Sequence, residues 1–244
     1  MSLPQLTFRQ SLTYAAHLFK AVTKQHHREM RSLFARYLPP DAVVFDVGAH
    51  AGQFAKLFAG LVPRGQVYAF EPGSYARAIL ERMVTLRRLA NVEVVPFGLS
   101  NAPGESVLSV PLKRSGSFGF GLSHFGTAQD DGRARWRETV ALTTLDRFVA
   151  ERGVARLDFI KADVEGWEIA MLQGAAQSLA RFRPAMLLEL VEAHLARAGT
   201  RPDQAWDMLL PLGYQAWRVL GADELEPAPR FLGPADYLFD TAVR

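Results

Sequence analysis

Four short segments hold the residues able to do chemistry. In VVFDVGAHAGQF (43–54) an apolar run ends at Asp46 and continues through Gly48, Ala49, His50 and Gly52. In FIKADVEGWE (159–168) Lys161 and Asp163 interrupt a strand-like run, and Glu165 and Glu168 follow. YAFEP ends at Glu71 and Pro72, and LLELVEAH carries Glu189, Glu192 and His194. Charged groups within a strand core are costly unless they are paired or functional. Residues two apart on a strand share one side, so Lys161 and Asp163 point the same way. Lys161 and Glu168 are accounted for by pairing and by a helix start. Asp163 is the better candidate for chemistry.

The glycine turn narrows the ligand. Glycine lets the backbone turn tightly and lets a ligand approach it closely. The dinucleotide fingerprint needs a glycine where His50 stands, so the Gly48-x-x-x-Gly52 spacing suits a ligand without phosphate. Glu71 falls somewhat over twenty residues after the first glycine, just past a second strand. An acid there can accept hydrogen bonds from both hydroxyls of a ribose. It can also face the positive end of the next helix.

These residues need a frame that brings strand ends together. Strand-like and helix-like segments alternate from residue 41 onward, which predicts an α/β fold, a doubly wound and mostly parallel sheet of seven strands. Its last two strands, GYQAWRVL and DYLFDTAV, are close in sequence with no helix between them, which predicts an antiparallel edge hairpin. Ligands of such sheets bind at the carboxyl ends of the strands. Residues 1–40 read as a helical extension, with a polar break at 24–31 and a stop at LPPD. The glycine- and phenylalanine-rich 112–138 reads as a lid or insert within the 41–244 domain. Helices are expected over 168–180 and 202–210, and TTLDRF carries a threonine N-cap.

Composition excludes several classes. The 244 residues include no cysteine, so disulfides and cysteine nucleophiles are absent. The net charge is +3, with the positive residues scattered and no basic–aromatic stripe. No apolar run is long enough to span a bilayer, and the N-terminus lacks a signal-peptide pattern. The expectation is a cytoplasmic protein with no nucleic-acid partner, able to form a homo-oligomer through the N-terminal helices.

VFDVGAHAGQF, YAFEP, PFGLSNAPGE, TTLDRF, LDFIKADVEGWEIAMLQGA and PAMLLEL together resemble the successive blocks of the FkbM family of class I methyltransferases. The resemblance runs over 43–219 and is most specific in the IKxDVEGxE block. It implies S-adenosylmethionine as cofactor and O-methylation of a hydroxyl on a sugar or natural product. It implies that Asp46, Gly48 and Ala49 line the methionine half, with His50, where the family commonly has Asn, and Gly52 beside them. Glu71 and Pro72 would take the ribose, and Gly98, Leu99 and Ser100 would flank the adenine. Asp163 would stand near the methyl group, with Asp163, then Glu189, then His194 as the general base. No metal is required by that pattern. The alternatives are a nicotinamide-dependent oxidoreductase, against which His50 argues, and a non-catalytic cofactor- or RNA-binding module, against which the near-complete set of blocks argues.

Overall fold

The computed structural model describes residues 7–111, 124–125, 135–221 and 224–241. The chain opens with α1 (Phe8–Thr23) and α2 (Arg31–Ala35), then β1 (Val43–Val47), α3 (Gln53–Leu61), β2 (Gln66–Phe70), α4 (Ser74–Leu86) and β3 (Val92–Val95). β4 (Gly98–Leu99), β5 (Gly104–Pro111), β6 (His124–Phe125) and β7 (Arg135–Thr143) follow, then α5 (Leu145–Arg152) and β8 (Phe159–Ala162). The last part holds α6 (Glu168–Gln173), α7 (Ala176–Phe182), β9 (Ala185–Leu190), α8 (Glu192–Arg197), α9 (Asp203–Leu209), β10 (Gln215–Gly221), β11 (Glu224–Pro227) and β12 (Ala235–Asp240).

The main sheet runs β11-β10-β12-β9-β8-β1-β2-β3. Its strands from β9 to β3 are parallel, while β12 is antiparallel to both β9 and β10. The chain must cross to the middle of the sheet and back, so the carboxyl ends of β1, β2, β8 and β9 share one edge. Strands buried on both faces carry near-continuous apolar runs, as Val43–Val47 and Ala185–Leu190 do. Val44, Phe159, Leu187 and Leu238 enter one core, whereas Phe45, Ile160, Leu188 and Phe239 enter the other.

The doubly wound sheet and antiparallel edge agree with the sequence reading, with three differences. β11 adds an eighth strand by hairpin pairing with β10. A separate sheet of order β4-β7-β5-β6 stands beside the first, built on the long β5–β7 antiparallel ladder. Residues 135–138 therefore belong to a strand and not to a lid; 112–123 and 126–134 lie outside the described residues. The helix expected over 168–180 is broken into α6 and α7 at Gly174. A Cβ there would sit 2.0 Å from the Ser100 carbonyl oxygen, so the chain bends where it meets the end of β4.

The N-terminal helix packs on α4. The Tyr14 hydroxyl donates to the Ala78 carbonyl at 3.1 Å, and its ring meets Tyr75 edge-on at 5.3 Å. Lys56 of α3, buried, donates to the carbonyls of Ala21 and Lys24 at 2.6 Å each, satisfying the end of α1.

Candidate active site

The turn after β1 is fixed by backbone contacts. Gly48 N–H and Ala49 N–H both donate to the Phe70 carbonyl at the end of β2, at 3.1 and 2.9 Å. Gly48 has φ +78, and a Cβ on it would lie 2.0 Å from the Asp163 carbonyl oxygen. No other residue fits this floor, which lies between the ends of β1 and β8. Gly52, expected to face a ligand, is buried instead against Leu80 and Met83 of α4, with φ +85. His50 also takes a left-handed backbone, φ 48, and its side chain is exposed on the cleft wall. The surrounding protein lowers its pKa, and the charge of Asp163 opposes that.

Glu71 joins the turn to β2. Its Oε2 accepts from the His50 N–H at 2.9 Å and its Oε1 from the Gly73 N–H at 2.8 Å. Burial raises its pKa to about 7 against those two hydrogen bonds. An ionised carboxylate has about four lone-pair positions, so two stay open for hydroxyl donors. Beside it, Glu138 of β7 accepts from Ser74 N–H at 3.0 Å and adds a second negative charge. Ser100, after β4, accepts from the Trp167 indole N–H at 3.1 Å. Gly98 and Leu99 are buried in the second sheet, and the Leu99 side chain belongs to the core.

Asp46 has no exposed surface, and neither carboxylate oxygen has a hydrogen-bond partner of normal geometry. Burial lifts its pKa to about 6, against the pull of Lys161. Any contact it makes with a ligand therefore runs through a neighbour. That neighbour is Lys161, whose ammonium stands 4.0 Å from Asp46 and 3.2 Å from Asp163 and lies over the Phe54 ring. Burial works against the charge on Lys161, but Asp163 and Asp46 outweigh it and raise its pKa.

Asp163 and Glu189 stand side by side at the ends of adjacent strands, one step past the Ala162–Leu188 pair. Burial opposes the charge of Asp163, yet Lys161 holds its pKa below the ordinary value. Burial and the charge of Asp163 push Glu189 the other way. The two titrate as one unit, with the proton favoured on Glu189 over Asp163. His194 lies in α8 and not in a loop, with Nδ1 2.9 Å from Glu165 Oε2. Gly166 explains the contact: a Cβ there would come 2.3 Å from the His194 carbonyl oxygen, so α8 sits directly on the turn after β8. Glu168 accepts from Val164 N–H at 2.9 Å and Gly166 N–H at 3.3 Å and so shapes that turn. Among the described residues no group of His, Asp or Glu is arranged to hold a metal ion.

The methyltransferase FkbM domain matches residues 46–216. The chain belongs to the FkbM methyltransferase family. Among the relatives of this FkbM chain, AmbE of Pseudomonas aeruginosa, an AMB antimetabolite synthetase, is 33% identical over 73% of the chain and 10% of AmbE. The 2-O-methyltransferase NoeI of Sinorhizobium fredii is 30% identical over 64% of the chain and 65% of NoeI. The chain thus spans a small part of AmbE and just under two-thirds of NoeI. An O-methyltransferase from Bacillus cereus in complex with SAH shares the fold, with a TM-score of 0.51 at 14% identity over 95% of this chain and 87% of that one. FkbM methyltransferases are S-adenosylmethionine-dependent, and this identity sets aside the nicotinamide reading of the glycine turn. The Glu71 carboxylate, with lone pairs that His50 and Gly73 do not use, has the chemistry to accept from a ribose diol, whereas the Gly48 and Ala49 N–H groups are spent on Phe70. Within the described residues no helix is long and apolar enough to cross a membrane.

Asp236 and Glu138 are absent from the sequence reading. Asp236 lies on β12 directly across from Glu189. Its signal in the sequence is period two: Asp236 and Leu238 alternate with Tyr237 and Phe239.

Proposed function

We propose that this chain methylates a hydroxyl oxygen on a small molecule, a sugar or a natural-product alcohol, with S-adenosylmethionine as donor. The observation that carries this reading is the placement of Asp163 and Glu189 side by side at the ends of β8 and β9, with the Asp163 backbone against the Gly48 turn. Bound S-adenosylmethionine supplies an electrophilic methyl carbon on a sulfonium. Asp163, half-buried and ionised beside Lys161, accepts the hydrogen bond of the acceptor hydroxyl and aims its oxygen. When the methyl carbon is transferred, its bond to sulfur would break to leave S-adenosylhomocysteine as the bond to the acceptor oxygen forms, and Asp163 would take the proton that this oxygen then sheds. A carboxylate of lowered pKa suffices for such a proton. NoeI, a 2-O-methyltransferase, supports oxygen as the atom methylated.

Gly48, Ala49 and His50 hold the amino-acid end of the cofactor in this reading. Glu71, with Pro72, takes the ribose, and Ser100 with Trp167 bounds the adenine. Asp46 acts through Lys161.

The test has two parts. Calorimetric titration with S-adenosylhomocysteine, with NAD as control, measures the cofactor half. Incubation with isotopically labelled methyl donor and a panel of sugars, polyols and phenols, read by mass spectrometry, measures the acceptor half. Saturable binding and an O-methyl product, with Asp163→Asn retaining binding but losing on the order of a hundredfold or more of rate, is the expected result. Binding of NAD in preference, or methylation at nitrogen alone, overturns the proposal.

A further inference from the structure

One face of the sheet carries a row of ionisable side chains across four adjacent strands. Val44, Phe159, Leu187 and Leu238 point into the same core. Side chains alternate with period two, so Asp46, Lys161, Asp163, Glu189 and Asp236 lie on that same face. Asp46 is in register with Lys161, and Asp236 is in register with Glu189. Because β12 runs antiparallel, its beginning meets the carboxyl end of β9. Side chains directly opposite on antiparallel strands stand about 5 Å apart at Cβ.

The row holds four carboxyl groups and one ammonium. Lys161 reaches Asp163 and Asp46 at 3.2 and 4.0 Å. Burial raises the pKa of Asp236; the charge of Lys161 opposes that and the charge of Asp163 adds to it. Glu189 has no ion pair among the described residues, and three acids face it. They are Asp163 from β8, Asp236 from β12 and Glu165 from the turn after β8. A row of buried and half-buried acids with too few cations sheds charge where no cation reaches.

We propose that Asp236 is a positioning residue of the catalytic pair: its charge, directly across the strand from Glu189, keeps the shared proton on Glu189 and leaves Asp163 as the free acceptor. Without Asp236 the two acids would compete for that proton, and the group nearest the acceptor would be blocked for part of the time. The consequence for catalysis rests on the methyltransferase reading above. The position of the proton does not.

The test follows the titration of Glu189 by carbon NMR in protein labelled at glutamate carboxyls, its signal assigned by loss in Glu189→Gln. In the native chain Glu189 titrates well above an ordinary glutamate. In Asp236→Asn the midpoint falls by about one pH unit or more, and in Asp236→Glu it stays high. The pH profile of methyl transfer moves with the midpoint. S-adenosylhomocysteine affinity stays within about twofold in both variants. An ordinary Glu189 midpoint in the native chain overturns the proposal, and so does an unchanged midpoint in Asp236→Asn. The native titration decides even if Asp236→Asn fails to fold. Failure of the native chain to bind S-adenosylhomocysteine counts against the methyltransferase reading and leaves the Asp236 result standing.

Discussion

The backbone N–H of His50 donates to Glu71 Oε2 at 2.9 Å, so the glycine turn after β1 and the acid after β2 form one unit. The acid fixes the turn, and the turn fixes the acid. Changing Glu71 disturbs both the glycine turn and the backbone after β2.

Glu71→Ala leaves the His50 and Gly73 N–H groups without their acceptor. It is expected to lower stability by about 1–3 kcal/mol and to weaken S-adenosylhomocysteine binding tenfold or more. Glu71→Gln keeps one acceptor oxygen and retains part of both. Urea unfolding and calorimetric titration on the same samples separate the two effects; unchanged affinity in Glu71→Ala removes Glu71 from the cofactor site.

Two glycines with left-handed backbones differ in what surrounds them. Gly153, φ +62, would have nothing within 4 Å of a Cβ, whereas at Gly48 the Asp163 carbonyl oxygen would lie 2.0 Å from one. Gly153→Ala should cost only the backbone strain, about 1–2 kcal/mol. Gly48→Ala should cost about 3 kcal/mol or more, because the β1 and β8 ends must separate. Equal costs in denaturant unfolding would contradict the contact.

Lys161→Met keeps the length of the side chain and removes its charge. Asp46 and Asp163 then lose the cation that supports them, Asp46 with no access to water. A loss of about 3–5 kcal/mol is expected. The double variant Lys161→Met with Asp46→Asn should recover part of it. If the double variant is no more stable than the single one, the two are not coupled.

The buried acids also set how stability depends on pH. Burial raises Asp46 to about 6 and Glu71 and Glu168 to about 7. Each therefore binds its proton more tightly in the folded chain than in the unfolded one. The stabilisation is complete below the ordinary carboxylate range and disappears as pH rises through about 6 to 7. The melting temperature of the cofactor-free chain should fall between about pH 5 and about pH 8. A flat or rising curve would contradict the burial of these groups. Asp163, shifted downward, acts in the opposite sense at lower pH, and His50, lowered to about 4, also acts in the opposite sense up to about pH 6.5, so the fall is steepest above that.

The parallel sheet and the glycine turn after β1 are legible in the sequence because their signals are local. An apolar run, a glycine and an acid follow one another in VVFDVGAHAGQF, and the structure keeps that order. Asp236 is not legible, because its meaning comes from Glu189, on a strand far back in the chain that pairs in the opposite direction. The β5–β7 ladder hides behind the glycine-rich composition of the intervening stretch. The break at Gly174 depends on a contact with Ser100, which no periodicity within 168–180 contains. α8, which carries His194, is only six residues long, too short to repeat its own pattern in the sequence.

Lys56 ties the N-terminal helix to the integrity of the cofactor cleft. Its ammonium is buried in α3, the helix that begins at the glycine turn, and it is held by the carbonyls of Ala21 and Lys24. Proteolytic removal of residues up to 24 would leave that cation inside the protein without those carbonyls. The damage would surface at the other end of α3, at the glycine turn proposed to hold the cofactor, and not at the cut. A trimmed protein that still folds should therefore lose cofactor affinity before it loses its sheet.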